Sequence, residues 1–136
     1  MFKKVISVFL VAVISFCFLA VPAAAADTSR DLSSDSNKSE LSISGTTATC
    51  KSIFNDTVTY TSITAVQTLE KKGSFWSWST VGSQMTRTMN NSSTLSLTTT
   101  KPGLTSGTYR VKTVFTVVTK GGATETATAY SGEVTI

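Results

Sequence analysis

Apolar and polar residues alternate with a period of two along most of the chain from Leu41 onward. This alternation is typical of strands that bury one face, because successive side chains of a strand point to opposite sides. No run with helical periodicity follows residue 26. The three clearest stripes are Ala48, Cys50, Ser52 and Phe54; Ile63, Ala65, Gln67 and Leu69; and Tyr109, Val111, Phe115 and Val117.

Turn-forming residues divide these runs into about seven strands. Turns are expected at 55–56, 72–74, 90–93 and 102–103, and Lys120-Gly121-Gly122 is a tight hairpin signal. Strands are expected at 75–85 and 124–136. The pattern predicts an all-β domain over residues 41–136, an immunoglobulin-like or fibronectin-type antiparallel β-sandwich of about seven strands.

Residues 1–26 have the features of a cleavable secretory signal peptide. Lys3 and Lys4 precede an apolar run over 5–21, and four alanines at 23–26 suit a signal peptidase. An uncleaved membrane anchor is the alternative, but this run is marginal for crossing about 30 Å of hydrocarbon. We therefore expect a secreted, extracellular protein. Residues 27–40 hold one large apolar residue, Leu32, and are expected to form a flexible polar tether.

Removal of this leader changes the charge and the cysteine content. The chain has 12 Lys and Arg against 8 Asp and Glu, and Lys3 and Lys4 leave with the leader. The nearly neutral remainder indicates no nucleic-acid partner. No second apolar run or sorting motif lies near the C-terminus, so we expect no membrane association after cleavage. Cys50 then has no second cysteine with which to form a disulfide. Residues 27–136 include 25 Thr and 18 Ser, and Thr suits the half-exposed face of a strand.

The remaining residue types do not suggest catalysis. The chain has no His, so Cys50 has no usual base to activate it. Glu125 and Glu133 lie about 27 Å apart along one predicted strand, which is too far for a glycosidase pair. Neither a zinc ligand set nor a calcium loop is present. We therefore expect a non-enzymatic protein without a metal or a cofactor.

Phe75-Trp76-Ser77-Trp78 is the most suggestive binding motif. In a strand, Trp76 and Trp78 would share one face and Phe75 would lie on the other. Two interpretations stay open: the Trp pair fills the core, or it forms an exposed patch that stacks on sugar rings or grips a hydrophobic partner. Trp76 and Trp78 are therefore the candidate ligand contacts.

Two basic residues, Arg110 and Lys112, share the outward face of the strand that begins near Gly107. Such charges usually protect a sheet against pairing with other chains. The alternative is a weak docking stripe for an anionic partner. The first interpretation is the one that the sequence favours.

The spacing of Leu104, Gly107, Tyr109 and Val111 resembles the tyrosine corner of immunoglobulin-like sandwiches. The resemblance implies that Tyr109 hydrogen-bonds back to the preceding corner while its ring packs inside. Val111 stands where antibody domains have their second cysteine, so the likeness to antibody domains ends at the disulfide. We interpret Cys50 as a small buried hydrophobe, with a reactive thiol as the alternative.

Residues 40–136 resemble a group of uncharacterised small secreted proteins from Gram-positive, clostridia-like bacteria with an immunoglobulin/fibronectin-like domain. The segments that carry the resemblance are 43–50, 67–72 and 107–113, together with the Gly-Gly hairpin. The resemblance implies the fold and the extracellular location, and it implies no activity.

These observations predict a secreted, non-enzymatic β-sandwich module that binds an extracellular protein or glycan. The alternative is a structural or assembly protein whose last strand pairs through its edge with another chain. The identity of the ligand and the oligomeric state stay open at this point.

Overall fold

The computed structural model describes residues 36–136. The predicted signal peptide and most of the predicted tether lie outside these residues. Seven antiparallel strands form one hydrogen-bonded sheet, which confirms the prediction of an all-β fold with about seven strands. In chain order they are β1 (Asn37–Ser44), β2 (Thr47–Lys72), β3 (Trp78–Thr80), β4 (Met85–Lys101), β5 (Thr108–Val118), β6 (Thr124–Tyr130) and β7 (Val134–Thr135), with a 3₁₀ turn at Ser74–Trp76.

The long strand β2 organises the sheet. On one edge it pairs with β4, from Gln67 opposite Met85 to Ala48 opposite Lys101. On the other edge, β1 pairs with residues 47–54 and β5 with residues 62–71. The pairing of β2 with β4 changes register between residues 55 and 60. This irregularity divides β2 into two halves, each with its own partner on the second edge.

Side chains from the two halves of the sheet meet in one interior. Ser39 of β1 donates a hydrogen bond to Thr113 of β5 at 2.5 Å, although these two strands do not pair. Phe54, before the register shift, packs edge-on against Tyr60, after it, and also against Phe115 of β5. The sheet therefore folds over at the register shift, so that β1 and the first half of β2 face β5.

The three stripes predicted from the sequence are buried, which confirms their orientation. Their apolar members form two clusters. One contains Phe54, Tyr60, Ile63, Ala65, Leu95, Leu97, Phe115 and Val117, and the other contains Ala48, Cys50, Leu69, Leu104, Tyr109 and Val111. Between the clusters each stripe contributes one buried polar residue, namely Ser52, Gln67 and Thr113. We call these three residues, with Thr99 of β4, the polar layer.

Several element boundaries differ from the prediction. Residues 37–40, assigned to the tether, begin β1, because they pair with residues 51–54 of β2. The turns expected at 55–56 and 90–93 lie inside β2 and β4, because pairing between these strands resumes beyond the register shift. The strand expected at 75–85 is reduced to β3, and the last strand is interrupted between β6 and β7. The hairpin at Lys120–Gly122 is confirmed as the connection between β5 and β6.

Candidate aromatic binding surface

The connection between β2 and β3 holds two consecutive aromatic residues in an unusual backbone conformation. Phe75 and Trp76 have φ angles of 58° and 64°, a region that costs a non-glycine residue about 1–2 kcal/mol. The backbone N–H of Gly73 closes the loop by donating to the carbonyl of Ser77 at 2.8 Å. Strain of this kind persists only where surrounding contacts hold it, and it clusters at ligand-binding sites.

The strained loop directs both aromatic side chains into solvent. Phe75 is 99% exposed and Trp76 is 82% exposed. Burial of one such side chain would stabilise the fold by about 1.5–3 kcal/mol, and neither residue gains that stabilisation. The interpretation that Trp76 fills the core is therefore wrong. Trp78, the first residue of β3, is partly exposed and is not part of either core cluster.

Cations and aromatic rings alternate along the sheet face beside this loop. Lys72 Nζ lies 4.5 Å from the ring centre of Trp76 and 5.9 Å from that of Trp78. Arg110 Cζ lies 4.0 Å from the ring centre of Trp78 and 4.4 Å from that of Tyr130. All four distances are within the range of a cation–π attraction, about 6 Å. The row therefore runs Trp76, Lys72, Trp78, Arg110, Tyr130.

Four strands supply this row. Trp78 of β3 lies opposite Lys72 of β2, and the register of β2 with β5 brings Arg110 to the same end of the sheet. Tyr130, at the end of β6, is half exposed. Arg110 lies between the buried residues Tyr109 and Val111, so its side chain points to the outer face of the sheet, where it contacts Trp78 and Tyr130. We call Phe75, Trp76, Trp78 and Tyr130, with Lys72 and Arg110, the aromatic surface.

One carboxylate orients the central cation. Arg110 Nε donates to Glu70 Oε1 at 2.9 Å, and both side chains are mostly buried. This bond holds the guanidinium plane between the two rings that flank it, which suits the planar, stacking chemistry of arginine. Among residues 36–136, no carboxylate lies within ion-pair distance of Lys72. The aromatic surface thus has two cations and one anion.

The sequence pattern identified only part of this surface. Trp76 and Trp78 do not share a strand face as expected, because Trp76 lies in the loop and β3 starts after it. Tyr130 was missed, since it reaches the surface from a distant segment through Arg110. Lys72 was missed although it lies only four residues before Trp76. Arg110 lies on β5, which pairs on both sides with β2 and β6, so it does not protect a free edge. The signal available in the sequence was the predicted outward position of Arg110 on its strand.

Tyr109 lies beneath the same end of the sheet. Its hydroxyl donates to the carbonyl of Thr105 at 2.6 Å, four residues upstream, and its ring is 1% exposed. This is the hydrogen bond that the tyrosine-corner resemblance implies for Tyr109. Lys71 Nζ lies 5.6 Å from the ring centre and donates to Thr105 Oγ1. These contacts fix the loop that precedes β5.

Cys50 is a free thiol that is 2% exposed. Burial raises the pKa of this thiol above the usual value of 9.0, and a hydrogen bond with Thr99 partly opposes the shift. A raised pKa keeps the thiol protonated and therefore weakly nucleophilic. A cleft of about 450 Å³ opens beside it, and its lining includes Gln67, Met85 and Lys101 but no carboxylate. The lining thus offers Cys50 neither a histidine nor a carboxylate as a base.

Membrane spans and metal centres are two further features that could indicate a function. Residues 36–136 contain no helix with the length and hydropathy of a membrane span, and no cluster of His, Cys, Asp and Glu suited to a metal ion. The chain matches no protein-family model, no curated protein and no solved structure.

Proposed function

We propose that this chain is a secreted, non-enzymatic module with an immunoglobulin-like β-sandwich fold, which binds an extracellular protein or glycan through the aromatic surface. The observation that carries the proposal is the exposure of Phe75 and Trp76 in a strained turn. Both the strain and the unburied aromatic area oppose folding stability. A bound ligand would recover that free energy by covering the rings.

Two features support the sandwich assignment. The sheet folds over so that β1 side chains reach β5, as the hydrogen bond between Ser39 and Thr113 requires. Tyr109 makes the backward hydrogen bond of a tyrosine corner. Secretion is supported by the leader pattern of residues 1–26.

The proposal is tested by comparing the full chain with the double variant Phe75→Ala/Trp76→Ala on a glycan array and in pull-downs from extracellular material. We expect wild-type capture of a ligand and a loss of at least tenfold in the variant, since aromatic hot-spot residues contribute about 2 kcal/mol or more. Val58→Ala is the matched control, because Val58 is also exposed (36%) but lies in the register shift of β2. Equal capture by all three proteins would refute the proposal.

A second function has its own observation. Among residues 36–136, β6 pairs with β5 on one side only, and its outward side chains are Thr124, Thr126, Thr128 and Tyr130. Natural edge strands usually carry charges or proline that discourage pairing. The outward positions of β6 have neither, and its one charged residue, Glu125, is buried on the inner face. Assembly through β6 would appear in light scattering as a concentration-dependent dimer, and a monomer at every concentration would exclude it.

A further inference from the structure

We infer that the ligand of the aromatic surface is an anionic glycan, a sugar polymer that carries carboxylate or phosphate groups, with Lys72 and Arg110 as its charge-reading residues. The inference rests on the proposed function and narrows it to one ligand class. Three observations carry it: the open ring faces, the excess of positive charge beside them and the hydroxyl groups of the neighbouring serines.

The first observation concerns which ring faces are available. Lys72 lies over Trp76 at 4.5 Å from the ring centre, so one indole face is covered and the other meets solvent, since this side chain is 82% exposed. Phe75 leaves almost its whole ring exposed next to it. Open aromatic faces carry negative quadrupole density, which attracts the polarised C–H groups of a sugar ring.

The second observation concerns the charge beside those rings. Glu70 accepts one bond from Arg110 Nε, and the terminal guanidinium nitrogens have no hydrogen-bond acceptor among residues 36–136. These nitrogens form the fork that binds a carboxylate or a phosphate in bidentate fashion. Lys72 lies between two rings and adds a second cation with no carboxylate partner in the described part of the chain. Anionic groups on the ligand would give the guanidinium nitrogens of Arg110 hydrogen-bond acceptors and give Lys72 a counter-charge.

The third observation distinguishes a glycan from a protein. Ser74, Ser77 and Ser79 are all exposed along the loop and β3. The hydroxyls of Ser77 and Ser79 donate to the carbonyls of Ser74 and Lys71, and their oxygens can still accept a hydrogen bond from a ligand. Protein interfaces are enriched in aromatic residues and arginine, but they are depleted in serine and in lysine, both of which are present here. A sugar polymer, whose hydroxyls both donate and accept hydrogen bonds, fits aromatic rings surrounded by serines better than an apolar protein surface does.

The experiment uses polygalacturonate and its fully methyl-esterified form, which share a backbone and differ in charge. Binding to the full chain is measured by calorimetry at low and at physiological salt. We expect at least fivefold tighter binding to the charged polymer, and weaker binding as salt rises, because exposed charges are screened. Lys72→Gln should reduce affinity about three- to tenfold, while Lys51→Gln, an exposed lysine on the first half of β2, should not.

Three results would overturn the inference. Equal affinity for the charged and esterified polymers removes the role of the cations, and the proposed function then survives with a neutral glycan. If polyglutamate binds as tightly as polygalacturonate, the cations attract any polyanion and no sugar ring stacks on the aromatic side chains. Binding to no glycan, together with a protein captured by the wild type but not by Phe75→Ala/Trp76→Ala, assigns the aromatic surface to a protein. If the wild-type protein binds no ligand in either test, the proposed function is refuted as well.

Discussion

The polar layer and the aromatic surface reverse the usual distribution of residue types. Ser52, Gln67 and Thr113 are buried at the centre of the molecule, whereas Phe75 and Trp76 are exposed at its end. Buried polar groups and exposed large apolar groups are the placements that need an explanation. The polar layer and the aromatic surface need different explanations.

The polar layer is satisfied within the protein. Gln67 Nε2 donates to Ser52 Oγ at 2.7 Å and to the carbonyl of Leu97 at 3.2 Å, and Gln67 Oε1 accepts from Thr99. Ser52 Oγ also lies 2.7 Å from Thr113 Oγ1. Every polar atom of Gln67 thus has a partner, so this region needs nothing from outside and serves the fold.

The aromatic surface is only partly satisfied by the protein. Its cations stack on its rings, yet Lys72 has no carboxylate partner in the described chain and the ring of Phe75 contacts solvent almost entirely. The two regions therefore differ in whether the protein itself supplies partners for all of their polar and aromatic groups. A complete polar network predicts a stability role, and an incomplete aromatic one predicts a binding role.

The largest effect on stability is expected from Gln67→Ala. The substitution removes the shared partner of Ser52 and Thr99 and leaves a cavity in the core. Unsatisfied buried groups and cavities together cost about 3 kcal/mol or more. Urea denaturation measures this change in the free energy of unfolding.

Gln84→Ala is the control for that variant. The side chain of Gln84 is exposed and makes one part-buried hydrogen bond, from Nε2 to Thr68 Oγ1, so its loss should change stability by about 1 kcal/mol or less. Similar effects from both glutamines would contradict the structural role of the polar layer.

Arg110→Ala tests whether a residue of the aromatic surface also stabilises the fold. The substitution leaves Glu70 mostly buried without its ion-pair partner and removes the stacking with Trp78 and Tyr130. We expect a loss of about 2 kcal/mol, lower than for a fully buried pair, as measured by thermal and urea unfolding. Glu70→Gln/Arg110→Ala should recover part of the loss, because the lone carboxylate is gone. No recovery would show that stacking, and not charge, holds Arg110.

Cys50 predicts a pH dependence of smaller size. Its raised pKa means that the unfolded thiol ionises first, from about pH 9.0, so its contribution to stability is complete below that pH and is lost as pH rises toward the folded pKa. The slope is at most about 1.4 kcal/mol per pH unit. Urea titrations at several pH values should show a steeper decline above pH 9 for the wild type than for Cys50→Ala. Parallel curves would contradict the shift.

The smallest stability change is expected from Phe75→Ala/Trp76→Ala. Both side chains are exposed, and alanine keeps the left-handed backbone strain while losing the rings and one exposed cation–π contact with Lys72, so the free energy of unfolding should change by less than about 1 kcal/mol. Thermal unfolding provides the measurement. A loss above about 2 kcal/mol would show that these rings stabilise the fold, and the comparison between the two regions would fail.

Sequence reasoning found half of the aromatic surface. Trp76 and Trp78 stood out because indole side chains are rare and close together in the chain. Their exposure could not be predicted, because it depends on the left-handed turn at Phe75, where glycine or asparagine is normally expected. Tyr130 is 52 residues from Trp78 in the chain, and only the neighbouring positions of β5 and β6 reveal that both contact Arg110.

The sequence by itself determined which side chains of each strand point inward. The stripe of Ala48, Cys50, Ser52 and Phe54 is buried as its period predicts, because a strand has only two faces. Only the tertiary structure decided that the polar member of that stripe meets Gln67 and the other members of the polar layer. Alternation sets the face of a residue but not its height in the core, and height follows from strand register and from the fold of β2 at residues 55–60.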